Sequence, residues 1–298
     1  MERTYALAPG LAVAATLILL GLQLTGGIFL GSYLLLRGTD AFESFSLTWL
    51  FAIIFALSLV ATTRLTCSFG RASWRNPHLL LPRQPISLAT WLASVPLLAG
   101  NAVVILSLTA WLFHGLLSNL PGNPLLESVL DFEGQPWAVS FLAVVLAPVG
   151  EEILFRAVIL AGLLRTLRPR SAIVLSAVLF AAAHANLAQL PVSLVLGLTL
   201  GWIFVRTRSI GLCITLHLLH NAIFVYGWAW PSFWPGLSFP APTAEPTAAP
   251  VEVLLLGVIA SSVGLLAIHR FTRGSRPDWS RTEAMPPLLA QPPLLARE

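Results

Sequence analysis

Seven side chains bring acid, base and hydrogen-bond donor chemistry into apolar stretches of this sequence. Glu151, Glu152 and Arg156 fall within Pro148-Val-Gly-Glu-Glu-Ile-Leu-Phe-Arg156, and His184 within Phe180-Ala-Ala-Ala-His184. His217, His220 and Asn221 fall within Thr215-Leu-His217-Leu-Leu-His220-Asn221. An ionisable group inside a membrane-spanning helix costs about 3 kcal/mol or more unless it is paired or wetted, so each is a functional candidate by default. Helical spacing separates their roles. Glu152 and Arg156 are four apart on one face and can neutralise each other, whereas Glu151 is turned by about 100° from Glu152 and is left as the unpaired carboxylate. Phe180 with His184, and His217 with Asn221, are also four apart.

Counted from the ends expected in the cytoplasm, Glu151, His184 and Asn221 lie about 18–20 Å along their helices, and His217 about 12 Å. Three helices thus bring polar groups to similar heights, and the chemistry they support is attack of a water on a carbonyl. A carboxylate in apolar surroundings serves as general base toward that water, and a facing histidine holds the water or passes its proton on. A second histidine with an asparagine supplies donors to the resulting oxyanion, worth about 3–4 kcal/mol each in a dry site. Glu151, His184 and His217 are equally a donor set for zinc with one position open to water. Residue types alone leave the zinc and the metal-free versions both open. His220 is read as a structural residue facing a backbone carbonyl or a neighbouring helix.

The elements that must hold these groups follow from hydropathy. Of 298 residues 56% are apolar and 10% charged, against roughly 45–50% and 25% in soluble domains. With a mean hydropathy of +0.82, there is too little polar surface for a water-soluble globule, a disordered chain or a secreted disulfide scaffold. Cys67 and Cys213 stand far apart in unlike contexts and read as free thiols. Apolar runs long enough for a hydrocarbon core of about 30 Å occur at Leu11–Leu36, Phe45–Thr63, Ile86–Phe113, Trp137–Leu164, Ile210–Trp230 and Val251–Ile268. The first is too long for a signal peptide's apolar region and is kept as a spanning helix.

The stretch Ala172–Val205 has arginines at both ends, Arg165, Arg168 and Arg170 before it and Arg206 and Arg208 after it. Both ends then face the same side, so the stretch must cross an even number of times. It is expected to be a short, deep hairpin turning near Ala185–Pro191. The fold class is therefore all-α, a polytopic membrane protein of about eight transmembrane helices.

All 17 basic residues are arginine, and 15 of the 17 sort to one side. The positive-inside rule then puts both termini in the cytoplasm, in a bacterial-type inner membrane. The opposite loops carry Asp40, Glu43, Glu127, Asp131, Glu133 and Glu245. The chain is divided into N-terminal helices and loops (1–136), a core (137–230), an outer Pro-rich loop with the last helix (231–273) and a flexible tail (274–298). Most of the ten tryptophans fall at helix ends as an interfacial belt. Gly100-Asn101 is read as a helix–helix contact, and His78, His114 and His269 as exposed residues without partners.

Taken in order on successive helices, Glu151-Glu152-x-x-x-Arg156, Phe180-x-x-x-His184 and His217-x-x-x-Asn221 resemble the three motifs of the CAAX prenyl protease 2 type family. These proteins are also called CPBP or ABI intramembrane proteases. The likeness covers about Trp137–Trp230, a third of the chain. It implies an endopeptidase that cuts near the C-terminus of a prenylated or membrane-associated substrate. Residue by residue it implies Glu151 as base, His184 as its partner on the water, and His217 with Asn221 as oxyanion stabilisers. Glu152, Arg156 and Phe180 support them. Members are commonly labelled metalloproteases, and a metal-free glutamate mechanism is also argued for the family. The expected partners are the lipid bilayer and a peptide or prenylated protein, with no nucleic acid. Two other classes use the same residues: a proton-coupled transporter, disfavoured by the lack of an internal repeat, and a non-enzymatic immunity or scaffolding protein.

Overall fold

In a computed structural model of the chain, residues 7–37, 44–69, 86–112, 136–186, 189–229 and 251–273 are described. Among them are eight helices and no strand. These are α1 (Pro9–Arg37), α2 (Ser44–Phe69), α3 (Leu88–Leu112), α4 (residues 136–163), α5 (Pro169–Ala183), α6 (Leu190–Thr207), α7 (Ile210–Ala229) and α8 (Val251–Phe271). Six are long and apolar enough to cross a membrane; α5 and the apolar stretch Ile210–Tyr226 of α7 are shorter. The chain is an integral membrane protein of the all-α, polytopic kind expected from its hydropathy. The acidic loop residues Asp40, Glu43, Glu127, Asp131, Glu133 and Glu245, the Pro-rich loop, the tail from 274, His78 and His114 lie outside the described residues.

The ends of the central helices have local causes. Proline stands at the start of both α5 and α6, where its missing N–H has no intrahelical partner to lose. At the far end of α6, Arg208 takes a left-handed conformation with φ 52°, which stops the helix. The next residue starts α7: the Leu212 N–H donates to Ser209 Oγ at 3.1 Å, a side-chain cap on an otherwise orphaned donor.

Helices α5 and α6 form the anticipated hairpin. At 15 and 18 residues its limbs are about 22 and 27 Å long, less than a full hydrocarbon core. They pack closely, since a Cβ on Gly197 would lie 3.0 Å from Ala177 Cα. The turn starts at His184 and Ala185, the latter at φ 48°, and residues 187 and 188 within it lie outside the described residues.

α3 and α8 meet through glycines, as read for Gly100. A Cβ there would come within 2.5 Å of the Gly257 carbonyl oxygen, and one on Gly264 within 2.6 Å of Leu97 Cβ. Asn101 ties this pair to the hairpin, donating from Nδ2 to Thr199 Oγ1 at 2.9 Å while its Oδ1 accepts from Ser261 Oγ at 3.1 Å.

Most described arginines gather at one end of the bundle. The Leu7 N–H donates to the Gly162 carbonyl at 3.1 Å, and Thr166 Oγ1 donates to the Leu7 carbonyl at 2.9 Å, so α1 begins where α4 ends. Leu7, Leu11 and Thr66 line one apolar cavity of about 220 Å³, which puts the Arg64 end of α2 there too. Arg206 bonds to His269 at the end of α8, so His269 is partnered rather than solvated as expected. Burying a ring edge between two helix ends favours a bond over exposure.

Candidate active site

α4 is where helical regularity breaks down. It consists of Pro136–Val139, a π segment Ser140–Leu146, an α segment Ala147–Glu152, a second π segment Ile153–Leu160, and Ala161–Leu163. Pro148 accounts for the first π segment, because an interior proline removes one main-chain donor and its ring collides with the carbonyl four residues back unless the turn opens. Both glutamates sit on the α segment between the two widened stretches. Gly150, just before them, lies against α2: a Cβ there would meet Leu59 Cδ1 at 2.5 Å.

Glu152 is completely buried and Arg156 nearly so. Arg156 Nη1 lies 2.9 Å from Glu152 Oε1, the ion pair anticipated from their spacing. The same oxygen has a second partner: His217 Nδ1, on α7, donates to it at 2.8 Å. Because a carboxylate only accepts, the Nδ1 proton is fixed, and His217 turns its other nitrogen toward Glu151. His217 Nε2 is 3.8 Å from Glu151 Oε2. That is too long for a direct hydrogen bond, yet one water can bond to both atoms. Glu151 keeps 13% of its side chain exposed, whereas His217 keeps 2%.

The depth count places His217 well short of the glutamates, and the structure corrects it. A π stretch packs more residues into each turn and so advances less per residue than an α-helix. With Ile153–Leu160 in that form, the glutamates sit nearer the arginine-rich end than the count implies, level with His217.

His184 closes α5, with its Nδ1 2.9 Å from the Phe180 carbonyl. A carbonyl cannot donate, so this Nδ1 carries the proton, and in the neutral ring Nε2 is a free proton acceptor. No hydrogen bond or ion pair joins His184 to Glu151. What links the two sides is Phe180, whose ring centroid is 4.9 Å from that of His184 and 5.8 Å from that of His217. The Arg156 guanidinium lies over the Phe180 face, 4.5 Å from its centre, a geometry in which the ring stabilises the cation. Phe155 meets Phe180 edge-on at 5.2 Å. Phe180 is therefore the common contact of α4, α5 and α7.

Asn221 points elsewhere along α4. Its Nδ2 donates to the Ala143 carbonyl at 2.8 Å, which leaves the second N–H of the amide for another acceptor. His220 is buried with its ring 4.6 Å from Phe224, and it lines a separate small cavity with Asn101 and Thr199, in keeping with a structural role. Both cysteines are free.

Among the described residues, no three His, Cys, Asp or Glu side chains stand together as a group able to hold a metal ion. Nδ1 of His184 and of His217 are each bonded within the protein, which leaves Nε2 of both rings as the nitrogen facing the site. Glu151, His184 and His217 are thus not gathered into a three-residue donor set in this arrangement.

The helices thus gather a buried acid and imidazole cluster with one carboxylate reachable by water, an arrangement able to activate a water for hydrolysis. Comparison with family models points the same way: residues 133–223, which include every residue of the cluster, match the model described as type II CAAX prenyl endopeptidase Rce1-like. This stretch of the chain is thus Rce1-like and matches the family anticipated from the three motifs, which at family level is one of CAAX-type intramembrane proteases. Neither the curated proteins nor the solved structures gave a match.

Proposed function

We propose that the protein is an intramembrane endopeptidase in which Glu151 activates a water that hydrolyses a peptide bond near the C-terminus of a prenylated or membrane-associated substrate. The observation that carries this is the pairing around His217. Glu152 takes the Nδ1 proton at 2.8 Å, so that Nε2 faces Glu151 at 3.8 Å across a space that one water can bridge.

Glu151 removes a proton from that water as its oxygen bonds to the substrate carbonyl carbon. The carbonyl π electrons move onto oxygen, giving a tetrahedral oxyanion. His217, carrying a proton on each nitrogen before the attack and keeping both through it, donates to Glu152 through Nδ1 and to the oxyanion through Nε2. The second N–H of Asn221 is a further donor. His184, with a bare Nε2, takes that proton on from Glu151 and gives it to the leaving amine as the C–N bond breaks, which returns Glu151 to its carboxylate and His184 to its neutral ring. The arginine-rich end of the bundle faces the cytoplasm of a bacterial-type cell, and the peptide enters from that side.

The test is cleavage of a prenylated C-terminal peptide by the full chain in lipid nanodiscs, beside Glu151→Ala and His184→Ala. Loss of general acid–base catalysis lowers kcat by about 10²–10⁴-fold in each. Cleavage unchanged in both variants would discard this site. A chelator titration in the same assay leaves a glutamate mechanism untouched and abolishes a metal-dependent one.

A further inference from the structure

Pro148 does more than bend α4. In the π segment before it, the Ala147 N–H donates to the Leu142 carbonyl five residues back. In that register the next carbonyl, Ala143, falls to the main-chain nitrogen of residue 148, which is proline and has no hydrogen to give. The Ala143 carbonyl is thus orphaned by the sequence at a depth where no lipid group can serve it. The Asn221 side chain takes the place of the missing N–H, donating at 2.8 Å from a different helix.

This bond stands at one end of a two-point grip. One turn earlier on α7, His217 holds Glu152, so the same face of α7 engages α4 at Ala143 and again at Glu152. Between these points lie Pro148 and Gly150. The phase of α4 over this stretch decides which way Glu151 faces. Losing one residue of π widening would turn everything beyond it by about 100° and shift it by about 1.5 Å.

We infer that Asn221 is a positioning residue, which replaces the backbone donor removed by Pro148 and locks the π register that aims Glu151 at His217. The inference rests on the protease reading for its consequence but not for its bond, which stability alone can test.

The experiment is a double-mutant cycle on the full chain in nanodiscs, with Asn221→Ala, Pro148→Ala and the pair, read both by unfolding and by kcat on the prenylated peptide. Pro148→Ala restores a main-chain donor and so makes the asparagine dispensable to the Ala143 carbonyl. In the wild-type background Asn221→Ala is expected to lower the folding equilibrium constant and kcat by about tenfold or more, the scale of one buried hydrogen bond. In the Pro148→Ala background the same substitution is expected to change the folding equilibrium constant by less than about threefold and to lower kcat less than it does in the wild-type background, the loss that remains being that of the oxyanion donor. Additive effects on unfolding would overturn the proposal, and so would an equal loss of kcat in both backgrounds, which would leave Asn221 its oxyanion contact alone and no positioning role. Should Pro148→Ala not fold, Asn221→Asp serves instead: it keeps the shape, lacks the N–H, and is expected to be at least as unstable as Asn221→Ala. A wild-type unfolding curve for Asn221→Asp would overturn the tie. Because the unfolding arms need no turnover, a protein without peptidase activity still answers the question.

Discussion

At the scale of single residues, Glu152 carries two duties on one oxygen. It neutralises Arg156 and fixes the proton on His217. Glu152→Gln keeps the shape but leaves a buried guanidinium without its anion, which by analogy with broken buried pairs costs about 3–5 kcal/mol. Replacing the ion pair as a whole, by Glu152→Met with Arg156→Leu, is expected to recover most of that stability, since apolar packing can match a buried pair. It should not recover activity, because His217 then has no acceptor for its Nδ1 proton. Chemical unfolding and peptide cleavage, measured side by side on both variants, check the separation; joint recovery would reduce Glu152 to a structural residue. The ion pair was legible from its four-residue spacing, and so was the identity of the other polar groups. The bond from Glu152 to His217 was not. It depends on the axial advance of α4, and an α-helical count misplaces the two partners. His269 went unread for a related reason: its partner Arg206 is 63 residues away, and only the meeting of two helix ends brings them together.

At the scale of elements, the break in α4 is half-written in the sequence. Pro148 inside an apolar run announces a disturbed turn before it. The second π segment, Ile153–Leu160, contains no proline, so no local signal marks it. The hairpin was legible from arginines at both ends of a stretch too short for two full crossings, and its limbs have the expected shortfall. The glycine contact of α3 with α8 was legible only as small residues, since nothing in a single sequence names the facing helix. Its energetic weight can be measured. A methyl group on Gly100 collides with the α8 backbone at the Gly257 carbonyl and Ser261, atoms that cannot swing aside. Gly100→Ala is therefore expected to destabilise by about 1–3 kcal/mol, with kcat of the folded fraction unchanged because the contact lies on the outer side of α3. Thermal unfolding in mild detergent together with active-site-normalised rates checks this; a neutral substitution would mean that α3 and α8 pack less closely.

At the scale of the whole molecule, the arrangement joins a bundle with one arginine-rich end to a polar cluster buried among its central helices. Arg165, Arg168, Arg170, Arg208, Arg270 and Arg273 all follow from helix ends that meet on that side. On the proposed reading this is the cytoplasmic face, as the positive-inside rule expects. In a chain with Cys67→Ser and Cys213→Ala, a cysteine placed at exposed position 168 is expected to react with a membrane-impermeant maleimide only after the cytoplasmic side is opened. Labelling of intact cells would invert the topology and move the entry side of the substrate. The composition dictated the membrane setting, and the motifs pointed to the family whose model matches residues 133–223. The way α7 reads α4, through His217 at one point and Asn221 at another, emerged only from the packed helices. The most direct test of the central claim is to run peptide cleavage in ¹⁸O-enriched water and weigh the new carboxylate. We expect one ¹⁸O per cut with the wild-type chain and no cut product with Glu151→Gln; labelled product formed at the wild-type rate by Glu151→Gln would contradict the account.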